Sequence, residues 1–202
     1  MTRGRLIAFE GGEGSGKSTQ AARLAHRLGA VLTGEPGGTA VGARIRAIVL
    51  DPGVAFVDAR AEALLMAADR AQHVAEVVEP ALRGGLNVVT DRFIGSSLAY
   101  QGYGRGLDLD ELRQLSSWAT CGLDADLVVL LDLPVERARA RRPASRDRVE
   151  AEDDEFHARV VAGYRELAAL EPGRWVVVNG DGARDEVEAR VLAAVSARLG
   201  LL

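Results

Sequence analysis

The chain has 202 residues, 48% of them hydrophobic, so it can bury one core of ordinary domain size. Its formal net charge of -4 gives no sign of the basic surface that nucleic-acid-binding proteins usually carry. A single cysteine excludes an internal disulfide, and no apolar run approaches the roughly 20 residues needed to span a bilayer. We therefore expect one cytoplasmic domain over residues 1–202 that binds neither nucleic acid nor membrane, with Cys121 buried or half-buried.

Short β-rich runs alternate with longer helical patterns, which indicates an α/β fold with a parallel sheet. The runs with the continuous apolar character of central strands are 6–10, 30–34, 87–91, 126–132 and 174–179. Apolar residues recur every three or four positions across 17–28, 57–82 and about 185–199, which predicts helices there. Pro80 should end or kink the second of these helices near its last turn.

The stretch GGEGSGKS, from Gly11 to Ser18, fits the phosphate-loop pattern G-x-x-x-x-G-K-[ST] between a predicted strand and a predicted helix. Glycine lets the backbone wrap a phosphate with its N–H groups, and the helix N-terminus adds the positive end of a dipole. Lys17 is expected to reach the outer phosphates of the nucleotide, and the Ser18 hydroxyl to bind Mg²⁺. The loop residues expected at the nucleotide are Gly11, Gly12, Glu13, Gly14, Ser15, Gly16, Lys17, Ser18 and Thr19.

Lys17 is the only lysine among the 25 lysine and arginine residues of the chain. Arginine has a planar, bulkier head group, so a loop wrapped tightly around a phosphate does not readily admit the exchange. The position therefore has a steric and electrostatic demand that an ammonium group meets. Without a second lysine the chain cannot carry the N-K-x-D guanine signature, which excludes the GTPases among phosphate-loop proteins.

Three further stretches indicate a small kinase. EPGGT, from Glu35 to Thr39, follows the second strand, where an acceptor can lie beside the phosphate loop, although alone it reads as a Pro-Gly turn. Arg70 lies on or near the apolar face of the long helix and needs an anionic or carbonyl partner. Asp91 ends the third strand, where a carboxylate can lie near Mg²⁺, and Arg92 follows it at the expected acceptor position.

Residues 136–153 contain six arginines followed by an acidic run. The first arginines are typical of a solvated helix, whereas the break at Pro143 predicts a mobile segment with cationic side chains at Arg142, Arg146 and Arg148. Such a segment can close over a triphosphate and supply an arginine finger in cis. We place this lid at about 141–152.

These stretches occur in the order seen in bacterial thymidylate kinases, which the chain resembles over nearly its whole length. The resemblance rests on the phosphate loop preceded by FEG, EPGGT, AADRAQH (67–73), AYQGYGRG (99–106) and a lid ending in DR-x-E. It implies a P-loop NTPase fold with a five-stranded parallel sheet covered by helices on both faces. It also implies a homodimer that converts dTMP and ATP to dTDP and ADP with Mg²⁺.

The resemblance assigns roles to individual residues. Glu13 meets the dTMP sugar and Arg92 binds the dTMP phosphate. Arg70 contacts the thymine, and Tyr100 crowds the sugar 2′ position, which favours deoxyribose. The residues expected at dTMP are Glu13, Glu35, Pro36, Arg46, Met66, Arg70, Arg92, Ser97, Tyr100 and Gln101. The expected catalytic residues are Lys17, Arg92, Arg146 and Arg148, and the expected metal ligands are Ser18 and Asp91.

Two positions depart from the family pattern. Met66 stands where the family commonly has a phenylalanine that stacks on thymine, and a thioether can still pack on a ring with about 0.3–1.5 kcal/mol. Gly34 replaces the arginine that usually precedes EPGGT, and Arg46 in the following helix can share that phosphate contact.

The expected chemistry needs no general base, because the second pKa of the acceptor phosphate is about 6 and the phosphate is therefore deprotonated at neutral pH. Surface or packing roles are therefore expected for His26, His73 and His157. Two alternatives stay open from the sequence. One is another P-loop nucleoside monophosphate or deoxynucleoside kinase, and the other is a nucleotide-binding regulatory module without turnover.

Overall fold

The computed structural model describes residues 3–54, 56–141 and 147–201. Within these residues the strands are β1 (Leu6–Glu10), β2 (Val31–Gly34), β3 (Val88–Asp91), β4 (Leu127–Asp132) and β5 (Trp175–Asn179). They form one parallel sheet in the order β2-β3-β1-β4-β5. The five parallel strands predicted from the sequence are confirmed, each within one residue of its expected start.

The helices cover both faces of this sheet, as predicted. They are α1 (Lys17–Leu28), α2 (Ala40–Val49), α3 (Ala59–His73), α4 (Glu79–Arg83), α5 (Ile94–Ser97), α6 (Leu109–Ala119), α7 (Val135–Ala140), α8 (Asp154–Leu170) and α9 (Arg184–Leu199). α1 and α9 pack on one face, and α3, α4, α6 and α8 contribute to the core on the other.

The central strand β1 supplies side chains to both cores. Successive residues of a strand point to opposite faces, so Leu6 and Ala8 join one core while Ile7 and Phe9 join the other. All four side chains are fully buried, which explains why the run reads as continuously apolar. The last residue of β1, Glu10, is also fully buried.

The long predicted helix continues through Pro80 and does not end there. A π-helical turn, Val74–Val78, separates α3 from α4, and the chain stays helical to Arg83. Proline has no N–H and crowds the carbonyl four residues earlier, and a wider turn accommodates both effects. A second π-helical turn, Leu98–Gly104, follows α5 and carries Tyr100 and Gln101.

Two other expectations concern exposure. Cys121 is exposed, so the prediction of a buried or half-buried cysteine is wrong. It lies in the turn after α6 with a φ of 52°, where the chain runs along the surface. Among the described residues, no helix has the length and apolar character required to cross a membrane.

We expect Gly163→Ala, inside α8, to destabilise the fold even though alanine is the better helix former by about 1 kcal/mol. A Cβ at this position would come 2.4 Å from Cγ of Tyr103 in the second π-helical turn. The free energy of unfolding should fall by about 1–3 kcal/mol in urea titrations. Gly173→Ala is the control, because its Cβ would have no neighbour within 4 Å among the described atoms. A Gly163→Ala protein as stable as the wild type would contradict the packing argument.

Candidate active site

The loop between β1 and α1 has a backbone that favours glycine. Gly14 has a φ of 73°, and a Cβ there would lie 2.5 Å from the carbonyl oxygen of Ala138. Gly16, with a φ of 91°, is the N-terminal cap of α1, and no side chain in the described part of the chain caps this helix. The first N–H groups of α1 are thus left for a ligand, and the helix dipole favours an anion there.

Lys17 begins α1 with its side chain largely enclosed, at 7% exposure. Its Nζ donates a long hydrogen bond of 3.4 Å to the carbonyl oxygen of Gly12. Burial, together with the charge of Arg92, lowers the pKa of the Lys17 ammonium. A bound anion would reverse this effect, because an adjacent negative charge favours the protonated form.

A cavity of about 230 Å³ lies at the carboxyl ends of β1, β2 and β3, and we call it the Arg92 cavity. Lys17, Ser18 and Asp91 line it. Eight of the residues predicted to contact the acceptor line it as well: Glu13, Glu35, Pro36, Arg46, Met66, Arg92, Tyr100 and Gln101. Residues far apart in the chain are therefore brought together, as the parallel sheet predicts.

Arg92 is held in place from several sides. Its Nη2 donates to Glu13 Oε1 at 2.5 Å and to the Tyr100 hydroxyl at 3.1 Å. Its Nη1 donates to Ser96 Oγ at 3.1 Å and to the Tyr164 hydroxyl at 3.2 Å. The guanidinium also lies 4.8 Å from the centre of the Tyr100 ring, a cation–π distance. The cation is therefore fixed in position before any substrate arrives.

Glu13 is ionised in this environment. Burial alone would raise the pKa of its carboxyl, but the charges of Arg92 and Lys17 and the Tyr100 hydrogen bond outweigh burial and lower the pKa to about 2. The Tyr100 hydroxyl donates to Glu13 Oε1 at 2.7 Å. Glu13 thus joins the phosphate loop to the residues that surround Arg92.

Glu10 is a site residue that the sequence analysis missed. Its Oε1 accepts from the N–H groups of Phe93 and Ser96 at 3.0 and 2.9 Å. Its Oε2 accepts from Ser96 Oγ at 2.6 Å and from the Tyr164 hydroxyl at 3.0 Å. Burial raises the pKa of this carboxyl against the effect of these donors. The sequence signal that could have identified Glu10 is an acidic residue at the end of an apolar strand, within the FEG segment.

Asp91 lines the Arg92 cavity together with residues of the phosphate loop. Its Oδ1 is buried and has no hydrogen-bond partner among the residues that the structure describes. The exposed Ser18 lines the same cavity. The predicted pair of metal ligands therefore shares one cavity, and one of them has a free acceptor atom.

Arg70 and Ser97 lie behind the wall of the Arg92 cavity and do not line it. Arg70 is 2% exposed, and its Nε donates to Glu35 Oε2 at 2.8 Å. Its Nη1 donates to Ser97 Oγ at 3.1 Å and its Nη2 to the carbonyl oxygen of Phe93 at 3.0 Å. The expected anionic and carbonyl partners of Arg70 are confirmed, while its contact with a base stays a prediction.

The histidines have surface or packing positions, as expected. His26 is exposed, and His157 is buried with its ring edge-on to Phe156. His73 is fully buried, with Nδ1 2.8 Å from Glu35 Oε1 and Nε2 2.6 Å from Thr33 Oγ1. The His73 ring therefore connects α3 to the end of β2 and to the first residue of the EPGGT loop.

A second cavity, which we call the phosphate-loop cavity, has a volume of about 640 Å³. Residues 13–19 line it together with the loop after β5 and Arg141. Arg141 donates to the carbonyl oxygen of Gly180 at 3.3 Å. Sequence reasoning missed Arg141 and the β5–α9 loop, because it gave weight only to arginines around and beyond Pro143.

The two lid arginines predicted to be catalytic have different outcomes. Arg146 lies outside the described residues, as does Arg142. Arg148 lines neither cavity: its Nε donates to the carbonyl oxygen of Val49 at 2.8 Å, and its Nη2 pairs with Glu62. A contact between Arg148 and a phosphate stays a prediction.

The chain is similar to known proteins over nearly its whole length. The family model described as thymidylate kinase matches residues 9–191. The thymidylate kinase of Synechococcus sp. (strain JA-2-3B'a(2-13)) is 51% identical, covering 97% of this chain and 96% of that protein. The thymidylate kinase of Leifsonia xyli subsp. xyli is 52% identical over the same shares of each chain.

A solved structure extends the likeness to the fold. The crystal structure of thymidylate kinase from Ehrlichia chaffeensis superposes with a TM-score of 0.78 at 30% sequence identity. The match covers 96% of this chain and 99% of that one, and it confirms the predicted P-loop NTPase fold. The chain therefore belongs to the thymidylate kinase family.

Proposed function

We propose that this chain transfers the γ-phosphate of ATP to dTMP, giving dTDP and ADP, and that residues 1–202 act as one kinase domain. The observation that carries the proposal is that Lys17 and Ser18 of the phosphate loop share one cavity with Arg92. The phosphate-loop cavity adjoins it, since both include Lys17 and Ser18. A regulatory module without turnover would need cations for one nucleotide only, whereas Lys17 and Arg92 together serve two adjoining cavities.

On the donor side, Lys17 and the N-terminus of α1 bind the outer phosphates of ATP. The enclosed position of Lys17 strengthens its attraction to developing negative charge, because little water screens it. Arg141 lines the same cavity and can add a second cation at the phosphates.

On the acceptor side, Arg92 binds the phosphate of dTMP and aligns it for attack. That phosphate is already deprotonated at neutral pH, so the site has to bring two polyanions together and needs no proton acceptor. Ser96 and Tyr164 hold the guanidinium so that it loses little freedom when the phosphate arrives. Glu13 and Tyr100 then lie where the deoxyribose would sit.

The ligand set around the phosphate loop fits Mg²⁺. Asp91 Oδ1 is a buried carboxylate oxygen without a hydrogen-bond partner in the described part of the chain, and Ser18 offers a hydroxyl in the same cavity. No cluster of three or more metal-binding side chains occurs in the ranges that the structure describes, and Mg²⁺ often binds through one or two carboxylates plus substrate phosphates. Mg²⁺ bound with ATP would neutralise charge on the transferring phosphoryl group.

We also propose a homodimer that works in the cytoplasm. α3 packs against both α2 and α6, and large apolar side chains on these helices are exposed: Ile48, Leu64 and, at 81% exposure, Trp118. Large exposed apolar side chains on neighbouring helices are typical of a protein interface, and the family resemblance makes a second copy the expected partner. Sedimentation equilibrium of the purified chain is the direct measurement.

A coupled assay of ADP release tests the proposed reaction, with dTMP, dUMP, UMP, AMP and thymidine compared side by side. We expect the highest kcat/KM with dTMP and only slow ADP release without an acceptor. Faster turnover with another monophosphate would favour the nearest alternative kinase, and ADP release that no acceptor stimulates would contradict the proposal.

Lys17→Arg should lower kcat by at least about 100-fold, as expected when a preorganised donor no longer reaches its position in the transition state. The positive charge is kept, but the planar head does not fit the enclosed space where Nζ meets the Gly12 carbonyl. Steady-state kinetics with dTMP measure the effect, and circular dichroism checks the fold. A Lys17→Arg enzyme within tenfold of wild type would show that the lysine is not sterically required.

Arg92→Ala should raise the KM for dTMP by about 30-fold or more, since truncating one partner of a buried charge pair costs about 2–5 kcal/mol. Titration calorimetry should show ATP affinity changed far less. Arg165→Ala is a suitable control, because Arg165 is half exposed and pairs with Asp132 at 3.0 Å, away from Arg92. A larger loss for ATP than for dTMP would reverse the assignment of the two cavities.

Asp91→Asn should raise the Mg²⁺ concentration needed for half-maximal activity by about tenfold, because an amide oxygen binds this hard cation less well than a carboxylate. Asp132→Asn is the matched control: Asp132 ends β4 as Asp91 ends β3, but it accepts from Arg165 Nε at 3.1 Å. Initial rates across a Mg²⁺ titration make the comparison. Equal Mg²⁺ requirements in the two variants would exclude Asp91 as a ligand.

A further inference from the structure

Glu62 of α3 is a fully buried carboxylate that the chemistry above does not use. Its Oε1 accepts from Gln101 Nε2 at 2.9 Å and from Arg105 Nε at 3.3 Å. Its Oε2 accepts from Arg105 Nη2 at 3.1 Å and from Arg148. Burial would raise the pKa of Glu62, but these donors outweigh it and the pKa is lowered. The carboxylate is therefore ionised and can only accept hydrogen bonds.

This property fixes the orientation of the Gln101 amide. Only the NH₂ end of an amide can donate to a carboxylate, so the carbonyl end, Oε1, points away from Glu62. Gln101 is 1% exposed and lines the Arg92 cavity, in which Met66 and Leu50 are apolar neighbours. Its Oε1 is buried and, within the described ranges, has no hydrogen-bond partner. A buried acceptor without a donor is costly, which marks a place for a ligand donor.

We propose that Glu62 is a positioning residue for base selection, because it holds the Gln101 amide with its oxygen available to the base; this rests on the proposed function. A thymine base carries one N–H donor, at N3, and cytosine has a lone pair at that position. A fixed acceptor at Gln101 Oε1 therefore pairs with thymine and opposes cytosine.

Two arginines, Arg105 and Arg148, stabilise the charge of the buried Glu62 carboxylate. Arg105 also pairs with Glu152 at 2.6 Å, and Arg148 donates to the carbonyl oxygen of Val49 at 2.8 Å. The carboxylate thus has cationic partners that offset its desolvation. Neither arginine can replace Glu62 as the partner of Gln101 Nε2, because an arginine side chain only donates hydrogen bonds.

The test compares kcat/KM for dTMP with that for 5-methyl-dCMP, which has nearly the same shape, at saturating ATP. Glu62→Gln should lower the dTMP preference by about tenfold or more, because an amide partner lets the Gln101 amide turn over. Glu152→Gln is the control: it removes the charge of the outer partner of Arg105, at a residue with no hydrogen bond to Gln101 in the described part of the chain, so the ratio should stay at the wild-type value. An unchanged ratio in Glu62→Gln overturns the proposal.

Gln101→Leu is a second test, which does not depend on whether Glu62→Gln folds well. Removing the acceptor should itself lower the dTMP preference, and adding Glu62→Gln in that background should change the ratio no further. Equal effects of Glu62→Gln in both backgrounds, or a wild-type ratio in Gln101→Leu, overturn the proposal. If the wild type does not phosphorylate dTMP, the proposed function fails and this inference with it. If dTMP is phosphorylated and the ratio is insensitive, only this inference fails.

Discussion

The buried carboxylate of Glu10 is the contact on which the site depends. It ends the central strand and accepts hydrogen bonds from the β3–α5 connection and from Tyr164 of α8. Ser96 and Tyr164, which it fixes, are the groups that hold Arg92 Nη1. The Ser96 and Tyr164 hydroxyls also lie 2.9 Å apart, and a hydroxyl proton directed at Glu10 or at the other hydroxyl leaves oxygen lone pairs for the arginine. The position of Arg92 therefore depends on a residue at the end of the central strand.

The Arg92 cavity balances opposite charges in a confined space. Lys17 and Arg92 line it together with Glu13 and Asp91. The pKa of Glu13 is lowered because the neighbouring cations outweigh its burial. The pKa of Lys17 is lowered because burial and the like charge of Arg92 outweigh the nearby carboxylates. Such a site is costly to keep assembled and suits ligands that bring their own charge. Polyanionic substrates fit this description, because their phosphates would offset the like charges of Lys17 and Arg92.

The strands and the phosphate loop were predictable because their signals are local: apolar runs, glycine spacing and a lysine in a fixed place. The interior of the site was not. Arg70 was expected on the base but spends its described donors on Glu35, Ser97 and the Phe93 carbonyl, each at least 23 residues away in sequence. Glu10 was overlooked for the same reason, since its hydrogen bonds come from segments distant in sequence. Side-chain direction inside a polar core is set by tertiary structure, which residue type does not reveal.

Glu10, Glu35 and Glu62 follow one design: each is buried and binds groups that stand next to the Arg92 cavity. An ionised carboxylate only accepts hydrogen bonds, so each of them fixes the direction of the donors that it binds. Replacing any of them by glutamine keeps the volume yet removes that direction. Glutamine at Glu62 could therefore leave the fold intact and still change the orientation of Gln101, whereas glutamine at Glu10 would act on the groups that hold Arg92.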